Sequence, residues 1–157
     1  YESKKTDLHR LSEYRVKKAH HNIRFDIRKS AITLFLSEFL YKTLGNDQSE
    51  NEELYHYLIG EIESLDNANK HFENFHLKVI LSLTRLLGFG YDPDTMHLPG
   101  KSQRIDDFIA HILSEKKFDA TGELRAETLE AVLRYYRLHT GQNLDIKSLA
   151  VLKQIFH

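Results

Sequence analysis

Apolar residues recur along this chain at intervals of three and four, the period of an amphipathic helix. Strand-like alternation is confined to residues 22–25. The 26–44 window (DIRKSAITLFLSEFLYKTL) puts Ile27, Ala31, Leu34, Phe35, Phe39 and Leu40 on one wide apolar face. Asp26 is placed to cap that helix and Gly45 to end it. After the polar loop NDQSEN, Ser49 and Glu52 have the spacing of a capping box. Leu54, Leu58, Ile62 and Leu65 then mark a short amphipathic helix. The 72–87 window (FENFHLKVILSLTRLL) is apolar almost all round, with Phe72, Phe75, Val79, Leu83 and Leu86 as its main stripe. Such a helix belongs at the centre of a bundle.

Gly88, Gly90, Pro93, Pro99 and Gly100 crowd residues 88–101, so chain punctuation concentrates there. Beyond it, Ser102 precedes a stripe of Ile105, Phe108, Ile109, Ile112 and Leu113. Thr121 opens a helix bearing Leu129, Val132, Leu133 and Tyr136, which Gly141 closes. Asp145 is placed to cap a last helix with Ile146, Leu149, Leu152, Ile155 and Phe156. The expectation is an all-α fold, a bundle of about six helices over residues 26–157, with a tail over residues 1–25.

Composition adds limits. The chain has 157 residues, one domain by length, with a net charge of −1. It has no Cys, which removes disulfides, thiolate metal ligands and thiol nucleophiles and fits a reducing cytoplasm. No apolar run approaches a membrane span and no signal-peptide pattern opens the chain, so no membrane partner is expected. The near-zero charge conceals segregation. Residues 1–30 carry nine Lys/Arg against four acids, residues 31–130 nine against eighteen, and residues 131–157 four against Asp145.

That basic arm is the first candidate site. Arg10, Arg15, Lys17, Lys18, Arg24, Arg28 and Lys29 interleave with Tyr14 and Phe25. Phosphate neutralisation with aromatic stacking holds single-stranded nucleic acid, although an arm of this charge is as often only a solvated surface. Lys78 and Arg85 are the second candidate. Seven residues apart, they share one face of an otherwise apolar helix. Long basic side chains on such a helix usually reach out to water, but they can also rim an apolar groove for a peptide ending in carboxylates. The third candidate is metal. Glu53-Leu-Tyr-His56 and Glu73-Asn-Phe-His76 have the Glu-x-x-His spacing of di-iron bundles, whose ligands point into the core. Here Glu53 and His56 fall well off the Leu54/Leu58/Ile62/Leu65 stripe, so they are expected to face solvent. No phosphate-binding glycine loop or nucleophile-elbow motif is present.

Three stretches in order, DIRKSAITLFLSEFLYKTL at 26–44, NFHLKVILSLTRLLGFG at 74–90 and YYRLHTGQNLDIKSLAVLKQIF at 135–156, together resemble the helical C-terminal part of RecO, the bacterial recombination mediator, in its Bacteroidetes form. The resemblance implies a cytoplasmic, nucleoid-associated, non-enzymatic DNA repair and recombination protein. Such a protein anneals single strands and helps load RecA, working with RecR and the single-stranded-DNA-binding protein SSB. It implies that an OB-fold domain precedes the helices and makes most of the contact with single- and double-stranded DNA. Residues 1–25 would then be the end of that domain or its linker. It further implies that the acidic C-terminal tail of SSB docks on the helical part, with Lys78 at or beside a basic position of that region. Arg85 joins it by helical geometry alone. Many RecO proteins carry a four-cysteine zinc module after the Leu-Gly-Phe turn. Here that place reads YDPDTMHLPGKSQ, and His97 alone cannot replace four thiolates, so no zinc or other cofactor is expected. The competing readings are a ferritin-like di-iron enzyme and a plain helical adaptor with a solubilising arm.

Overall fold

The 72–87 window becomes the centre of the molecule. The structure is a computed structural model that describes residues 16, 19–45, 50–92, 102–114, 118 and 120–156. Among these residues there are seven helices and no strand: α1 (His21–Phe25), α2 (Ile27–Leu44), α3 (Glu52–Asn67), α4 (Phe75–Leu86), α5 (Gln103–Leu113), α6 (Gly122–Thr140) and α7 (Leu149–Phe156). The fold is all-α, as the periodicity implies. The additional helix is α1, where residues 22–25 looked strand-like. Its backbone is helical, and it packs on α2 and α3.

Helix α4 is surrounded by α2, α3, α5 and α6. Leu77, Val79, Ile80, Leu81 and Leu83 are all buried, which is why this helix carries so few polar positions. Phe72 is buried too, but from the turn before α4, which begins three residues later than the apolar pattern does. Phe39 and Tyr136 meet edge to face at 4.9 Å beside it, and the Tyr136 hydroxyl donates to the Ile80 carbonyl at 2.5 Å. His76 is fully buried between the Phe35 and Phe156 rings.

Helix ends follow local chemistry with three corrections. Asp26 accepts from Arg28 N–H and Thr121 from Leu124 N–H, as their positions before α2 and α6 suggest. Gly141 takes the left-handed φ of +66° that ends α6. Helix α3, however, is capped by Asn51, whose side chain accepts from Leu54 N–H at 2.9 Å; Ser49 lies outside the described residues. Gly45 ends α2 in right-handed rather than left-handed conformation, and glycine suits it for a different reason, since a Cβ there would collide with the Tyr41 carbonyl oxygen. Asp145 does not cap α7 through its side chain. Glu38 does so from α2, accepting from Lys147 N–H at 2.9 Å and Ser148 N–H at 2.8 Å.

The apolar face of α2 also divides. Ala31, Ile32, Phe35 and Phe39 are buried, whereas Ile27 and Leu34 point to solvent. The wide stripe read from the sequence is therefore one buried face and one outward line.

Candidate functional site

Helix α4 leaves one flank uncovered, and Lys78 and Arg85 occupy it. Their separation of seven residues is two helical turns, about 10 Å along the axis. Lys78 is two-thirds buried, and its ammonium lies 3.5 Å from Glu61 Oε1 on α3. Between the two bases, Ser82 is half-buried beside the Tyr57 hydroxyl of α3. Burial there pushes the Tyr57 phenol up to about 12. Arg85 is exposed in the last turn of α4, where a cation suits the negative end of the helix dipole.

The turn after α4 fixes where Arg85 stands. Gly88 has φ +84°, its N–H bonds to Arg85 O at 3.1 Å, and Phe89 N–H bonds to Thr84 O at 3.0 Å. These two bonds form a Schellman motif, and only glycine adopts that φ without strain. The chain then folds back so closely that a Cβ on Gly90 would sit 3.1 Å from Arg85 Cγ. Tyr91 N–H donates to the Thr84 hydroxyl at 3.1 Å, the Tyr91 hydroxyl to Asp106 at 3.0 Å, and the Tyr135 hydroxyl to Phe89 O at 2.8 Å. The Leu-Gly-Phe-Gly turn is thus tied to α5 and α6, and it presents Arg85 from a braced position.

The basic arm is brought together only in part. Arg10, Arg15, Lys17 and Lys18 lie outside the described residues. Arg24 is exposed in α1, 5.8 Å from the centroid of the exposed Phe25 ring. Arg28 is exposed but forked onto Asp26, with Nη2 2.9 Å from Oδ2 and Nε 3.2 Å from Oδ1, and its guanidinium lies over Phe72. That hydrogen-bonded fork holds the Asp26 carboxyl below its ordinary range and raises the Arg28 guanidinium. Lys29 is turned inward. It is 3 % exposed, and its ammonium donates to Asp66 O at 2.8 Å. It joins α2 to the end of α3 and presents no charge to a ligand. A helical wheel carries the signal, because Lys29 falls on the side of Ile32 and Leu36.

The two Glu-x-x-His pairs do not converge. His56 is exposed and pairs with Glu52 at 3.5 Å, Glu53 is exposed, Glu73 lies in the turn before α4, and His76 is inside the core. Among the described residues no three metal-capable side chains group together. A four-thiolate zinc site has no donors in this chain, which contains no Cys; the 93–101 window with His97 lies outside the described residues. Among the described residues, no helix is long and apolar enough to cross a membrane.

Comparison with known proteins gives this geometry its setting. Residues 24–111 match the family described as Recombination protein O C terminal. The chain is 31% identical over 176 aligned positions to DNA repair protein RecO of Bacteroides fragilis, covering 96% of this chain and 72% of that protein. It is 30% identical to DNA repair protein RecO of Flavobacterium psychrophilum, over 97% of this chain and 72% of that one. With the RecO of Christiangramia forsetii the identity is 33%, over 82% of this chain and 62% of the relative. The first alignment is longer than the chain itself, so that relative carries residues that this chain lacks. No solved structure matches.

Proposed function

The chain belongs to the RecO family of DNA repair proteins, and from that premise we propose that it is the partner-binding helical part of a non-catalytic recombination mediator. In this reading the Lys78 and Arg85 flank of α4 receives the acidic C-terminal tail of single-stranded-DNA-binding protein. The full protein anneals single strands and loads RecA together with RecR, its DNA contacts lying mainly in a preceding OB-fold domain that residues 1–25 join to the helices.

The observation that carries the reading is the pairing of charge with a rigid support. Two cations lie two turns apart on the most buried helix of the fold. One stands beside half-buried Tyr57 and Ser82, and the backbone of the other is held by the Schellman turn. A flexible tail ending in carboxylates is well served by fixed cations of this kind. Arg24 stands exposed beside Phe25 on α1, and Lys29 takes no part.

The test is fluorescence anisotropy with a labelled peptide copying the acidic SSB tail. Binding is expected at low salt, falling as salt rises. Lys78→Glu and Arg85→Glu should each weaken it about tenfold or more, the cost of a like charge in place of a partner. Absent binding at low salt, or binding indifferent to both substitutions, would overturn the docking site.

A further inference from the structure

The flank of α4 holds more than its two cations. Lys78, Ser82 and Arg85 are spaced four and three apart, so Ser82 lies on the same face between the bases. Opposite them, α3 carries Tyr57 and Glu61, also four apart. The two helices meet there rung by rung. Glu61 Oε1 stands 3.5 Å from the Lys78 ammonium, and the Tyr57 hydroxyl lies beside Ser82. The charged rung is matched, and the hydroxyl rung is not. The Tyr57 hydroxyl is buried, yet among the described residues it meets no hydrogen-bond partner. Glu61 Oε2, one turn along α3, is buried without one as well. Burial pushes the Tyr57 phenol up to about 12, so at neutral pH it keeps its proton and stands ready to donate.

A buried hydroxyl with no partner costs stability, and phenylalanine would fill the same space without that cost. The tyrosine therefore points to an acceptor that the folded chain does not itself supply. We propose that the Tyr57 hydroxyl is a third, neutral contact of the docking flank, donating to a carboxylate of the acidic peptide between the points held by Lys78 and Arg85. This inference deepens the docking reading and rests on it. Charge complementarity selects the occupant, because a cation on either side of the hydroxyl rung favours an anion across it. The reach fits as well. The levels of Lys78 and Arg85 are about 10 Å apart, which an extended peptide covers in about three residues. The hydroxyl is covered at rest. A carboxylate reaches it as the Lys78 ammonium, on its flexible four-carbon stem, turns from Glu61 toward the peptide.

The contact differs in kind from those of the cations. Attraction between exposed charges is screened by salt, whereas a hydrogen bond from a neutral hydroxyl is much less so. The experiment is fluorescence anisotropy of the labelled acidic peptide with full-length Tyr57→Phe protein, alongside urea denaturation of the same variant. Tyr57→Phe should weaken binding about fivefold to tenfold, by the same factor at low and at moderate salt. It should leave the urea midpoint unchanged or raise it, because the deleted hydroxyl has no partner in the fold. Lys78→Glu should instead flatten the dependence of binding on salt. Full binding by Tyr57→Phe, with Lys78→Glu still weakening it, would overturn the hydroxyl contact and leave the cationic site standing. A lowered urea midpoint in Tyr57→Phe would also overturn it, since the hydroxyl would then serve the fold. Absent binding by the unaltered protein at low salt would overturn the docking site and this contact with it.

Discussion

The Glu38 carboxylate of α2 caps α7, the last helix, through Ser148: Oε2 accepts from the Ser148 backbone N–H at 2.8 Å and from its hydroxyl at 2.6 Å. The partners are 110 residues apart, and Oε1 adds Lys147 N–H at 2.9 Å. A carboxylate here satisfies amide groups that the start of a helix leaves without partners, and it meets the positive end of the dipole.

These hydrogen bonds hold the Glu38 carboxyl well below its ordinary value, at about 2. A carboxyl depressed in the folded state contributes stability above its unfolded pKa and loses it as pH falls toward the folded one. Glu38→Gln should therefore cost about 1–2 kcal/mol at neutral pH by urea denaturation. The gap between variant and parent should close as the pH drops from about 5 to about 2. A gap that stays constant across that window would contradict the assignment.

Lys29 should behave as a structural residue. Lys29→Ala removes the donor to the buried Asp66 carbonyl and empties space beside Phe72, at a cost of about 2–3 kcal/mol. Chemical denaturation measures the loss. A Lys29→Ala protein of undiminished stability but weaker DNA binding would return Lys29 to the surface.

Much of this was legible beforehand. The six longer helices follow from apolar periodicity, because each must bury one face, and Asp26, Thr121 and Gly141 mark helix ends by chemistry that operates within four residues. What the sequence concealed is long-range. Helix α7 is capped by an acid from α2, which local reading cannot distinguish from a cap by Asp145. Ile27 and Leu34 look like core positions because hydropathy does not say which side of a helix the rest of the fold will occupy. For the proposed docking flank, the spacing of Lys78 and Arg85 places both on one side of α4, but the Glu61 carboxylate facing Lys78 comes from another helix. Lys29 shows the opposite case. Its wheel position is readable, and its charge obscures it.

Tyr136 offers a clean measure of the core. Its ring is packed edge to face against Phe39 and its hydroxyl donates to Ile80 O. Burial also raises its phenol above the ordinary value. Tyr136→Phe preserves the packing and deletes one hydrogen bond, and should cost about 1 kcal/mol in urea denaturation. A loss near 4 kcal/mol would mean that the ring itself shifts when the hydroxyl goes.

The same logic of paired groups sets the strength of the proposed peptide site. Glu61 sits 3.5 Å from the Lys78 ammonium and neutralises part of the charge that an incoming carboxylate would seek. Its other oxygen, Oε2, is buried without a hydrogen-bond partner among the described residues, so the carboxylate gains little from its position. Glu61→Gln keeps the shape and removes the competitor. A partly exposed pair of this kind is worth about 0.5 kcal/mol, which corresponds to about a two- to threefold change in affinity. Acidic-peptide binding should tighten by that factor in Glu61→Gln, most clearly at low salt, and the gain should vanish when Lys78→Glu is added. Unchanged or weaker binding in Glu61→Gln would show that the peptide does not use Lys78.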